Sequence, residues 1–192
     1  LALAIIGGQP ERFAGFAELH CRSAIDAGHE PSPLSINSHG FIAPTADEAV
    51  EVSFPPFKAM MDRIGRERGW PPMAPQDFAA ARTLRGANFV GTPEEVVEKI
   101  LFQHEIFGHQ RFLIQFSVGT LPHEAVMRSI ELFGREVAPA VRARLAEMQE
   151  DVARLVLNDN YEQNILLATR LGKAISQRAG VRTVLPSSWT TY

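Results

Sequence analysis

Cysteine is almost missing from this sequence. The 192 residues include one, Cys21, so no disulfide can form within the chain, and a reducing, cytoplasmic setting is expected. Long apolar runs are missing as well. The longest, Leu1 to Ile6, falls far short of the roughly 20 residues that cross a bilayer as a helix, so no membrane association is expected. Positive charge is not in excess. Nineteen Lys and Arg stand against 22 Asp and Glu, for a formal net charge of -3, which argues against nucleic acid as a partner. A charged leader and a small-residue cleavage site are also lacking, so Leu1–Gly8 does not read as a signal peptide. It reads as a strand whose upstream neighbour is outside the sequence, and the chain is expected to be a fragment. What is present, 45% hydrophobic and 21% charged residues, suits a globular domain with a substantial core.

Strand and helix signals alternate along the chain. Leu1 to Ile6, closed by Gly7-Gly8, reads as a strand buried on both faces. Pro10 and Glu11 then open a helix on which Phe13, Phe16, Ala17, His20 and Ala24 form one apolar stripe, with His20 and Cys21 assigned to the core. Gly28 stops it. A second strand spans Leu34 to Ala43. Thr45-x-x-Glu48 is a capping box, and the helix that follows is expected to break at Pro55-Pro56. Trp70 to Asn88 reads as a proline-rich insertion with a short helix near Gln76 to Leu84. Thr92-Pro93-Glu94-Glu95 is a strong helix start, and Gly108 is its end. The third strand is Arg111 to Ser117. The helix after Pro122 is expected to be limited by Gly134 and Pro139. From Ala140 the pattern is long, charged and helical, ending in a polar tail from Val181. Three strand–helix units imply parallel strands with helices on one face, in the order in which they occur. They fit the last three units of an eight-unit barrel.

Several segments in this order resemble the bacterial-luciferase-like flavin-dependent monooxygenases. They are Leu3-Ala4-Ile5-Ile6-Gly7-Gly8, Ser38-His39-Gly40 with Thr45-x-x-Glu48-Ala49, and Val90-Gly91-Thr92-Pro93-Glu94-Glu95-Val96. Phe112 to Ser117, Leu121-Pro122-His123-Glu124 and Glu136-Val137-Ala138-Pro139 complete the set. The resemblance runs from Leu1 to about Arg144. It implies an α/β fold, a partial (β/α)8 TIM barrel, in residues 1–144, with residues 145–192 a helical extension and loose tail. It also implies a cofactor, reduced FMN or in some branches F420, at the C-terminal ends of the strands. The implied activity is oxygenation of a small organic substrate with O2, with reduced flavin supplied by a flavin reductase. An F420-dependent hydride-transfer oxidoreductase is the alternative within the family. A non-catalytic half-barrel that assembles with other copies, as a homo-oligomer, is the alternative outside it.

In such a barrel chemistry sits at the carboxyl ends of the strands. Three places follow. Gly7 and Gly8 would let backbone approach a flavin ring, or would simply form a strand-to-helix turn. His39, in the polar run Asn37-Ser38-His39, would donate to a flavin oxygen or serve as general acid or base, or would be a structural histidine satisfied by backbone. Gln115 and Ser117 would line the mouth, or would only pack and turn. His104, His109 and His123 match no zinc spacing, so no metal is expected.

Overall fold

The computed structural model of the chain describes residues 1–157. Two compact units divide the chain, Leu1–Ala143 and Arg144–Tyr192, and the sheet belongs to the first. Its strands are β1 (Ala2–Ala4), β2 (Ser35–Ile42), β3 (Phe89–Gly91) and β4 (Arg111–Gln115). The helices are α1 (Ala14–Asp26), α2 (Ala46–Arg68), α3 (Pro75–Arg82), α4 (Pro93–Phe107), α5 (His123–Leu132) and α6 (Ala138–Leu157). The polar tail read from Val181 onward lies outside the described residues.

All pairings are parallel. β2 is central, with Ala4 and Leu113 both in register with Asn37, so β1, β2 and β4 are neighbours in that order, as the strand–helix alternation predicts. β3 pairs with the last residues of β2, Gly40 to Ile42. Three residues give too short a periodic signal to be read from sequence, and β3 was not expected. Two cores result. Leu3, Ile5, Leu34 and Ile36 pack with Ala17 of α1, while Phe41 and Val90 pack with Ala49, Phe57, Phe78 and Ala125 of α2, α3 and α5. Phe41 and Ile42 are adjacent and both buried, so the end of β2 is covered on both faces, against the expectation of helices on one face only.

β1 corrects another expectation. Leu3 and Ile5 are buried, but Ala2, Ala4 and Ile6 are exposed, so the Leu1–Ile6 run alternates and buries one face only. On α1 the buried contact is made by Ala14 and Ala17, with Phe13 partly buried beside them. Phe16 and Cys21 are exposed and His20 is half-buried, bonded to Ser32. The stripe read from spacing was too wide, because small alanines carry the close approach to the sheet.

α2 begins after Thr45, whose Oγ1 accepts from the Glu48 N–H at 3.2 Å, one half of the expected capping box. It does not break at Pro55-Pro56. Two prolines remove the N–H donors that would reach the carbonyls of Glu51 and Val52. Pro55 and Glu51 face solvent, where water can satisfy the freed carbonyl. On the other side Ala49, Ser53 and Phe57 recur every four residues and are all buried. Burial of that face, and the bond from Ser53 Oγ to the Ala49 carbonyl at 2.6 Å, hold the helix through the prolines.

Nor do Gly134 and Pro139 end the α5 region. The chain passes from α5 through a π turn, Phe133–Val137, into α6. A proline ring crowds the carbonyl four residues back. The π turn makes room, with the Ala138 N–H bonding to Phe133 O, five residues back. The Trp70–Ala74 stretch is tied to α2. Lys58 Nζ donates to Asp62 and to Met73 O, and the Met73 N–H donates to Asp62 Oδ1 at 2.8 Å.

One side chain replaces a missing strand partner. β4 stops at Gln115, opposite His39. Beyond that point the Ile42 N–H donates to Ser129 Oγ of α5 at 2.6 Å, and both residues are buried. Ser129→Ala leaves this N–H without an acceptor and is expected to cost about 2 kcal/mol. Urea denaturation checks it, and an unchanged midpoint counts against the assignment.

Candidate functional site

The alternation of β2 sorts its polar residues. The rung Leu3, Ile36, Phe112 points to the packed face, and the next rung, Ala4, Asn37, Leu113, is exposed or half-buried. Ser38 returns to the packed face. It is fully buried, and its Oγ donates to the Ile5 carbonyl at 2.9 Å, tying β2 to β1. The polar run read as one patch is therefore split, with Asn37 and His39 on the open face and Ser38 serving as a structural tie.

His39 and Gln115 stand opposite each other in the sheet register. Gln115 is the last residue of β4, whereas His39 lies in the middle of β2 rather than at its carboxyl end. The Val118 N–H turns back to Phe116 O at 3.0 Å, so Ser117 lies beyond the strand, and the expected strand through Ser117 is shorter by two residues. Asn37, Gln115 and Ser117 are the polar lining of an open cavity of about 400 Å3. Leu113, Phe116, Val126 and Ile130 contribute its apolar walls. None of the three polar side chains hydrogen-bonds to another described residue.

His39 adjoins a different, much smaller void of about 10 Å3, shared with Phe57, Ser53, Val90 and Val118. Its ring meets Phe57 in a T-shaped arrangement, with centroids 5.9 Å apart. Nδ1 is buried and has no partner, so the ring is not a backbone-satisfied structural histidine. Burial holds its pKa below the ordinary histidine value. Gly7 and Gly8 are exposed in the turn after β1 and line neither cavity. Gly8 has φ +76, and a Cβ on either residue would meet nothing within 4 Å. The turn needs one glycine for its backbone, and space above both is open.

Asn37 belongs with the site, and its spacing of two from His39 was the signal for it. The other histidines lie elsewhere. His104 Nδ1 is 3.0 Å from the His109 carbonyl. His109 is buried, and burial together with His104 pushes its pKa down to about 4. Among the described residues no cluster of three or more His, Cys, Asp or Glu could hold a metal ion. No described helix is long and apolar enough to cross a membrane.

No protein-family model matches the sequence, and no curated protein matches it. Solved structures do. The monooxygenase RslO1 from Streptomyces bottropensis is 22% identical, with a TM-score of 0.57 over 72% of this chain and 41% of that one. The oxygenating constituent of 3,6-diketocamphane monooxygenase from the CAM plasmid of Pseudomonas putida, a Type II Baeyer-Villiger monooxygenase in complex with FMN, is 24% identical. Its TM-score is 0.55, over 72% of this chain and 42% of that one. The chain thus spans about two fifths of the length of either structure. At such identities the likeness is one of fold, and this chain has the fold of the matching part of these two monooxygenases.

Proposed function

We propose that this chain supplies the C-terminal part of the barrel, residues 1–144, of a flavin-dependent monooxygenase that uses reduced FMN and O2 on a small organic substrate. The reduced flavin would come from a separate reductase. Residues 145–192 are proposed as an extension beyond the barrel. The observation that carries the reading is the open face of the parallel sheet. Asn37, Gln115 and Ser117 present uncommitted hydrogen-bonding groups there, beside apolar walls, with His39 opposite Gln115. A flavin ring, flat and edged with carbonyl and N–H groups, matches amides and a hydroxyl set beside Leu113 and Phe116.

A bound flavin supplies the redox chemistry. The chain's own residues bind and orient. The Gln115 and Asn37 amides each offer both a donor and an acceptor. Ser117 offers a hydroxyl at the end of the cavity. Leu113, Phe116, Val126 and Ile130 limit water at the apolar side. Space above Gly7 and Gly8 leaves backbone accessible at the end of β1.

Titration of the protein with FMN, followed by flavin fluorescence, tests the reading. Gln115→Ala and His39→Ala are each expected to weaken binding about tenfold, equivalent to about 1.4 kcal/mol. A parallel titration with F420 decides between the two cofactors. Unchanged affinity in both variants would overturn the proposed lining.

A further inference from the structure

We propose that Phe57 is a positioning residue that fixes His39 as a neutral imidazole protonated on Nε2, so that the ring offers a hydrogen-bond donor at its solvent-accessible end. Only Nδ1 of His39 is sealed from solvent without a partner. The imidazole meets the end of an aromatic series. Phe57 of α2 lies in T-shaped contact with the imidazole, Phe78 of α3 lies 5.4 Å behind Phe57, and Phe54 lies 5.1 Å from Phe78. The ring is therefore backed by α2 through Phe57, which α3 supports in turn through Phe78.

No group at the sealed end is within hydrogen-bonding reach of Nδ1. Ser53 is the polar side chain beside the void; its hydroxyl donates to the Ala49 carbonyl at 2.6 Å, and its oxygen, which could still accept, makes no bond to Nδ1. The void, about 10 Å3, is at the lower limit for one water, which would also need two or more polar partners. A proton on Nδ1 would thus be a buried donor without an acceptor. A proton on Nε2 stays hydrated. Imidazolium would bury a charged N–H with no counter-ion. Ser53 and Phe57 from α2, Val90 from β3, Val118 and Leu121 after β4, and Gln115 across the sheet are all uncharged. The direction of the pKa shift agrees, since burial is its cause. A ligand group facing His39 should then be an acceptor oxygen, and His39 should act there as a donor rather than a base.

The inference does not depend on the flavin reading, because its test uses the protein without flavin. Histidine-labelled protein is examined by nitrogen and carbon NMR, with His39→Gln to assign the His39 signals. The expected result at pH 7 is a neutral ring protonated on Nε2, titrating below the ordinary histidine value. An Nδ1–H tautomer, in which the Phe57 ring face takes the proton, or an imidazolium at pH 7, overturns the proposal. Phe57→Leu keeps an apolar side chain but shortens the seal. It is expected to raise the His39 pKa by about one unit as water reaches Nδ1, with both tautomers appearing. A folded Phe57→Leu protein with His39 unmoved would also overturn it. The wild-type tautomer decides the matter alone should that variant fail to fold.

Discussion

Gly119→Ala is expected to destabilise the protein by about 3 kcal/mol. Two costs combine. Gly119 has φ +63, a left-handed conformation that costs an L-residue roughly 1–2 kcal/mol. An added Cβ would also lie 2.5 Å from the Pro56 carbonyl oxygen and 2.9 Å from its carbon. These are backbone atoms of α2, so no rotamer change relieves the contact. Overpacking of this kind costs about 1–3 kcal/mol. The loop that must yield carries Ser117 and the buried Val118, so the cavity wall should move with it. Urea denaturation should show a lower midpoint with an unchanged slope. Gly15→Ala is the control. Gly15 lies in α1 with nothing within 4 Å of a Cβ, and the change should be neutral or stabilising by up to about 1 kcal/mol. Equal losses in the two variants would show that the Pro56 contact is not the cause.

The legible parts of this fold are those written in local chemistry. Thr92 and Glu95 form the reciprocal capping box that their spacing announces, and Gly108 ends α4 in the left-handed conformation, with φ +58. The parallel order of β1, β2 and β4 also follows from strand–helix alternation. The failures share a cause. Pro55-Pro56 and Pro139 are strong local breakers, but burial of Ala49, Ser53 and Phe57 in one case, and a π turn in the other, override them. Neither remedy is visible in a window of a few residues. The open face of β1 has the same character. Apolarity on both sides of Leu1–Ile6 is legible, whereas what covers each side is a property of the tertiary structure.

The candidate site was legible by residue type and less so by location. His39 and Gln115 do face each other across the sheet, but Gly7 and Gly8 line neither cavity. Polar residues in a strand announce unusual surroundings. They do not say whether the surroundings are an open cavity, as for Asn37, or a neighbouring carbonyl, as for Ser38. Tertiary ties such as Ser129 to Ile42 leave no sequence signal, since a serine in mid-helix is ordinary.

Lys99 is another such tie, and its removal should have an effect that changes with pH. Its side chain is buried in α4, and Nζ donates to the carbonyls of Thr83 at 2.7 Å, Asn88 at 2.6 Å and Ala81 at 3.3 Å. It therefore closes the carboxyl end of α3 and the turn into β3. Burial, with Arg82 adding to it, pushes its pKa down to about 7 from 10.5. Between those values the unfolded chain keeps the proton and the folded chain releases it. The unfolded state then binds more protons, so this group makes stability rise with pH across the window. Below pH 7 the ammonium is charged in both states, and its desolvation offsets much of what its bonds contribute. Lys99→Met removes the desolvation cost and the bonds together. Near pH 6 the two losses should nearly cancel, leaving the variant within about 1 kcal/mol of wild type. Near pH 9.5 the neutral amine still donates at little desolvation cost. The variant, with carbonyls left unpaired, should then be less stable by about 3 kcal/mol. Denaturation of both proteins at the two pH values measures the difference directly, and groups common to both cancel. A gap that stays constant between pH 6 and 9.5 would mean that Lys99 keeps an ordinary ammonium in the fold, with the three carbonyls holding its charge against burial.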